Sequence, residues 1–154
     1  MNVLTKIDVL ENSIRTILKE IGEDPNREGL LETPKRVAKM YREVFSEVGV
    51  DPETALTTTF EEDYDGTVVV KDIIYYTFCE HHLIPFHGRV HISYIPNGRI
   101  VGLSKFARLV DLVSKRPQVQ ERMTVQISNA IMNVLQPKGV IVTVEGAHFC
   151  MCAR

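Results

Sequence analysis

Three observations predict an α+β protein. Apolar residues recur at helical spacing over residues 3–21 and 33–48. The pattern turns β-branched and alternating between residues 67 and 95. Two further helical stretches then separate that region from a last apolar run over 139–144. The predicted order is two helices, two strands, two helices and one strand.

The first stripe is Ile7, Leu10, Ile14, Ile17, Leu18 and Ile21, ended by the breaker run Gly22-Glu23-Asp24-Pro25-Asn26. Thr33 is the predicted N-cap of the second helix and Pro34 its first helical position. That helix carries Val37, Tyr41, Val44 and Val48 on one side. Lys35, Arg36, Lys39 and Arg42 lie on the other, with no acid between residues 33 and 42. An acidic loop (Glu61, Glu62, Asp63, Asp65, Gly66) leads into Thr67 to Val70 and Ile73 to Tyr76, both rich in β-branched or aromatic residues. Residues 87–95 alternate, Val90, Ile92 and Tyr94 facing one way and Arg89, His91 and Ser93 the other. Pro96-Asn97-Gly98 reads as a turn. Ser104 is positioned to cap a helix with Phe106, Leu109, Val110 and Val113 on its apolar face. Pro117 interrupts, and Val119, Met123, Ile127, Ala130, Ile131 and Val134 mark the next helix. Gly139 to Val144 reads as the last strand. Three main strands make a narrow sheet, so a partner strand is expected from another subunit or from outside this sequence.

The 154 residues fit one domain. A composition that is 44% hydrophobic and 25% charged excludes disordered and fibrous classes. A net charge of −2 and a pI near 6.2 argue against a nucleic-acid binder. Three cysteines are too few for a disulfide framework and suit a reducing, cytoplasmic setting. The first residues lack the basic start and apolar block of a signal peptide, and no apolar run reaches membrane-spanning length.

Chemistry concentrates in three clusters. Cys79-Glu80-His81-His82 ends the first strand, and the spacing of Cys79 and His82 lets thiolate and imidazole meet one metal from a tight turn. Alone, such a pair is a weak signal. His148-Phe149-Cys150-Met151-Cys152 follows the last strand and strengthens it. Cys79, His82, Cys150 and Cys152 would close a structural zinc site. Cys79, His82 and Cys150 alone would leave a position open for water, as catalytic sites do. Strand alternation points Cys150 and Cys152 the same way and leaves both arrangements open. His81 and His148, beside the candidate ligands, suit acid and base roles near neutral pH, whereas His87 and His91 read as decoration of a strand face. In the third cluster, Lys105 and Arg108 sit three apart at a helix start, a natural anion site. Six Lys or Arg against two acids fall between Arg99 and Arg122, yet no phosphate-binding glycine fingerprint is present.

Thr33 to Tyr41, Cys79 to His82, Gly102 to Lys105, Arg116 to Arg122 and His148 to Cys150, in this order, resemble GTP cyclohydrolase I, and the resemblance runs from about residue 5 to the end. It implies the tunnelling fold: an antiparallel sheet with a helical pair on one face, preceded by N-terminal helices. Residues 1–60 would be the helical region and 61–154 the catalytic part of one structural unit. The family's last strand and final helix fall beyond Arg154 and are expected to be lacking here. The resemblance further implies zinc-dependent hydrolysis of GTP to 7,8-dihydroneopterin triphosphate and formate, the first step towards tetrahydrofolate, in a cytoplasmic homodecamer with active sites at subunit interfaces. No nucleic acid or membrane would be a partner. By motif, Cys79, His82 and Cys150 match the zinc ligands and His81 and His148 the catalytic histidines. Ser104, Lys105 and Arg108 match residues at the triphosphate and ribose end, Ser104 being suited to relay a proton; Arg36, Lys39 and Arg154 match further phosphate-binding cations, and Gln120 and Glu121 the guanine-recognising pair. The alternative is a non-catalytic, zinc-stabilised nucleotide-binding or assembly protein.

Overall fold

A bulge in one long strand decides which way the chemistry faces. In the computed structural model, which describes residues 6–153, the chain divides into two units, residues 1–46 and 47–154. The side chain of Ile7 and all of Arg154 lie outside that description.

The N-terminal unit holds α1 (Lys6–Glu20), a 3-10 turn (Glu28–Leu30) and α2 (Thr33–Val44). The two helices pack through Ile14 and Ala38, while Ile17 and Ile21 of the predicted stripe stay exposed. Thr33 is not the cap. Arg36 N–H donates to the Glu32 carbonyl, so Glu32 takes the cap position, without a side-chain bond, and Thr33 is the first helical residue. Pro34 then falls in the first turn, where its missing N–H costs nothing.

In the second unit a 3-10 turn (Pro52–Leu56) and the ribbon β1 (Thr59–Glu61) precede β2 (Val68–Cys79) and β3 (Pro85–Ile95). Next come β4 (Arg99–Val101), α3 (Ser104–Ser114), β5 (Pro117–Gln118), α4 (Gln120–Leu135), β6 (Gly139–His148) and the turn-and-a-bit α5 (Phe149–Cys152). β1 pairs with β4, and the main sheet runs β5-β2-β3-β6. Its β2-β3 and β3-β6 pairings are antiparallel and the short β5-β2 contact is parallel. The α+β class is therefore correct.

The two runs read as separated by Lys71-Asp72 are one strand. Val70 pairs with Ile92 and Ile73 with Val90, so Lys71 and Asp72 both oppose His91, and Asp72 takes φ +59°. Such a bulge shifts the alternation by one. Val68 and Val70 turn inward before it, and Tyr75, Thr77 and Cys79 after it. Without the extra residue Cys79 would face outward. Asp72 N–H donates to His91 Nδ1 at 3.2 Å, and the Arg89 guanidinium holds the Asp72 carboxyl below its ordinary range. His91 is thus part of the bulge.

α3 packs on β2 and α4 on β6, covering one face of the sheet. Phe86, Val90, Ile92, Phe106, Leu109, Val113, Met123, Ile127 and Ile131 are fully buried between them. Each such side chain contributes about 1.5–3 kcal/mol by leaving water. Ser104 begins α3 as its first helical residue and makes no side-chain cap, contrary to expectation. On the other face Val69, Ile74, Tyr76 and Ile141 are exposed. No helix among the described residues is long and apolar enough to cross a membrane.

Candidate active site and metal centre

The chain turns sharply after β2. His82 and Leu83 N–H groups both point back to the Cys79 carbonyl, with Leu83 at φ +50°, and Cys79 N–H donates to Ile84 O. The turn puts a buried thiol and two exposed imidazoles at one end of the sheet. The other half of the site comes from β6, which ends at His148 opposite Phe86 of β3. The backbone then coils into α5 and brings Cys150 inward, while Cys152 is exposed. One ligand atom from each of Cys79, His82 and Cys150 lies within 4.8 Å of the others.

That trio suits zinc. Cys79 Sγ stands 3.9 Å from His82 Nδ1, close to the ~3.6 Å that tetrahedral bonds of about 2.3 and 2.1 Å would give. Two thiolates and an imidazole are preferred zinc ligands, and three protein ligands leave one position free. Cys152 takes no part in the trio, so the four-ligand closure is not formed.

Around the trio stand the other residues of the metal end. His81 Nδ1 lies 3.7 Å from Cys79 Sγ and its Nε2 4.0 Å from Glu80 Oε1. Glu80 binds Arg122 through both carboxylate oxygens, and this guanidinium holds its carboxyl below the usual range. Glu80 N–H also donates to Gln118 O of β5, at 3.0 Å, so the loop is tied twice to the entry of α4. Gln120, the first residue of α4, donates from Nε2 to Val144 O at 2.9 Å, and Glu121 follows in the exposed first turn. His148 lies flat against Phe86, centroids 4.4 Å apart and planes 10° apart.

The phosphate candidates are not gathered with the candidate metal ligands. The C-terminus of α3 is at the Cys79 end, since Gln118 Nε2 donates to Val113 O and Thr77 Oγ1 to Arg116 O. The helix start, by contrast, shares a cavity with Val68 at the far end of β2. Eleven residues of helix separate the ends, about 16 Å at 1.5 Å per residue. Ser104, Lys105 and Arg108 therefore stand away from the trio within one chain. Among the described residues no hydrogen bond or ion pair links Lys105 or Arg108 to it. Arg36 and Lys39 sit one turn apart on the exposed side of α2 in the other unit. Two residues that sequence reasoning missed, Phe86 and Arg122, support the site rather than form it. Extending the alternation of Val90, Ile92 and Tyr94 back by four would have placed Phe86 inward.

Fold and site together define an α+β protein with a candidate thiolate–imidazole metal centre. A sequence-family model described as GTP cyclohydrolase I matches residues 10–154. GTP cyclohydrolase 1 of Streptococcus mutans is 56% identical over 146 residues, spanning 94% of this chain and 76% of that protein. GTP cyclohydrolase 1 of Brevibacillus brevis is 53% identical across 100% of this chain and 82% of its own length. For that of Bacillus mycoides the figures are 54%, 96% and 79%. The chain belongs to the GTP cyclohydrolase I family and is an enzyme, a hydrolase.

Proposed function

We infer that the chain adopts the tunnelling fold and hydrolyses GTP to 7,8-dihydroneopterin triphosphate and formate in the cytoplasm, with zinc on Cys79, His82 and Cys150. The observation that carries this reading is the convergence of those three ligand atoms beside His81 and His148, in a chain whose relatives bear the name GTP cyclohydrolase 1. When bound, zinc supplies Lewis acidity, the means by which a water becomes nucleophilic near neutral pH. Gln120 and Glu121 bind the guanine edge. A carboxylate can accept two N–H donors from a purine, which fixes the imidazole ring of the base at the metal end. His148 donates a proton to N7, making C8 more electrophilic. His81 moves protons as the ring opens and formate leaves. Ser104 relays a proton in the rearrangement of the ribose, and Lys105, Arg108, Arg36, Lys39 and Arg154 hold the triphosphate, which is not cleaved.

The distance between the metal trio and the start of α3 supports an assembly in which one site draws on more than one subunit. The exposed Val69, Ile74, Tyr76 and Ile141 on the uncovered sheet face support self-association as well, and a homodecamer with sites at its interfaces accommodates both. Glu121 together with a triphosphate-sized set of cations favours GTP over other purines, and neither nucleic acid nor membrane is a partner in this reading. The test follows formate release and the appearance of a pterin fluorescent after oxidation, using the zinc-replete chain and GTP. Both products are expected. Zinc and GTP bound with neither product formed would leave the non-catalytic, nucleotide-binding alternative.

A further inference from the structure

We propose that Phe86 is a positioning residue for His148, its ring fixing the plane in which the imidazole presents its nitrogens. The proposal rests on the reading of His148 as the proton donor. Phe86 is fully buried, and its strand position is directly opposite His148. The two rings stack 4.4 Å apart and 10° from parallel. Tyr75, 2% exposed, packs on Phe86 in a T-shaped contact, centroids 5.9 Å apart and planes at 81°. Its hydroxyl donates to Glu145 O at 3.0 Å, on the strand that carries His148. Tyr75 and Phe86 thus form a brace that is fastened to β6 through the Tyr75 hydroxyl and stacks on the imidazole through Phe86.

The torsion that spins an imidazole about its own axis is broad and weakly restrained. Against a parallel phenyl face the ring can turn only by breaking the stack, a preference of about two- to ten-fold for an aromatic pair. Both ring nitrogens lie in the stacked plane and cannot point into Phe86. Gly146 keeps the neighbouring space open, since a Cβ there would sit 2.7 Å from Gln120 Oε1, 2.9 Å from the Tyr75 hydroxyl and 3.1 Å from His148 Cε1. The base-recognising Gln120 and the imidazole can approach the same point only because that position has no side chain.

The test uses the zinc-replete chain, Phe86→Leu, His148→Ala and the double variant. Phe86→Leu removes the flat face while keeping the core filled. Its kcat should fall about ten-fold, with KM for GTP and zinc content unchanged, and in the His148→Ala background it should cost nothing further. An unchanged kcat, or the same loss in both backgrounds, overturns the proposal. A second readout needs no folded variant at Phe86. With the imidazoles carbon-13 labelled and the His148 signals identified by their absence in His148→Ala, the wild-type His148 ring protons should be shifted upfield by the phenyl face. Signals at unstacked positions overturn the proposal too. Absence of GTP turnover by the wild type would defeat the proposed function, and the upfield shift would then decide alone whether Phe86 fixes the imidazole.

Discussion

Glu80 grips Arg122 with both carboxylate oxygens, and in doing so fastens the loop of the metal ligands to the first turn of the helix that begins with Gln120 and Glu121. Side chains of both partners remain partly exposed, at 31% and 46%, so solvent screens the pair and it adds little to stability. In the proposed active site its role is to align the two halves. Arg122→Ala should leave the melting temperature nearly unchanged and raise KM for GTP several-fold. Thermal denaturation beside steady-state kinetics measures both. A large fall in melting temperature with unaltered KM would assign the pair to folding instead.

The three cysteines should separate sharply in metal content. Cys79→Ser and Cys150→Ser each remove one member of the trio and should lose zinc on dialysis. Cys152→Ser should retain it, because Cys152 is exposed on α5 and outside the trio. Elemental analysis of the three variants decides this, and zinc loss from Cys152→Ser would restore the four-ligand arrangement.

Tyr75 gives the fold a limit at high pH. Burial pushes its phenol up to about 12, because the charged form cannot be solvated there. A phenol raised on folding contributes stability that is fully present below its ordinary value of 10 and is lost as pH climbs towards 12. Following phenolate absorbance and circular dichroism together, the last of the five tyrosines should ionise near pH 12, as the structure is lost. In Tyr75→Phe that last step should vanish.

Gly88 of β3 lies opposite Gly146 of β6, with no room for a side chain. A Cβ there would stand 1.8 Å from the Glu145 carbonyl oxygen, a backbone atom that cannot swing aside. Gly88→Ala should therefore destabilise the unit by about 1–3 kcal/mol or more. Gly146→Ala meets side-chain ends, those of Gln120, Tyr75 and His148, rather than backbone, and should cost less stability but more activity. Denaturant titration with kinetics compares the two.

If sites are shared between subunits, two inactive chains can complement each other. Lys105→Ala and His148→Ala lie at opposite ends of the sheet. Mixed and reassembled, they should give GTP turnover well above the sum of the separate variants. Mixtures no more active than that sum would confine each site to one chain.

Much of this was legible in the sequence where periodicity is regular. The alternation of Val90, Ile92 and Tyr94 gave β3 its inner face, and the apolar spacing gave α3 and α4 theirs. The bulge was not, because Lys71-Asp72 looks like a break between strands until His91 is seen to oppose both. β5 is two residues long and starts with proline, too short for any pattern. The choice between Cys150 and Cys152 was closed to strand reasoning since the chain has already turned helical at Phe149. Residues two apart on a helix diverge by about 200°, so one thiol enters the trio and the other does not. Separation of Lys105 from Cys79 depends on the direction α3 takes across β2, which no local motif records.

The most direct measurement is a zinc titration of the metal-free chain, following bound zinc and formate release from GTP in the same samples. Formate release should rise in proportion to zinc and saturate at one ion per chain, with Cys150→Ser flat throughout. Full formate release from the metal-free chain, or from Cys150→Ser, would contradict the account.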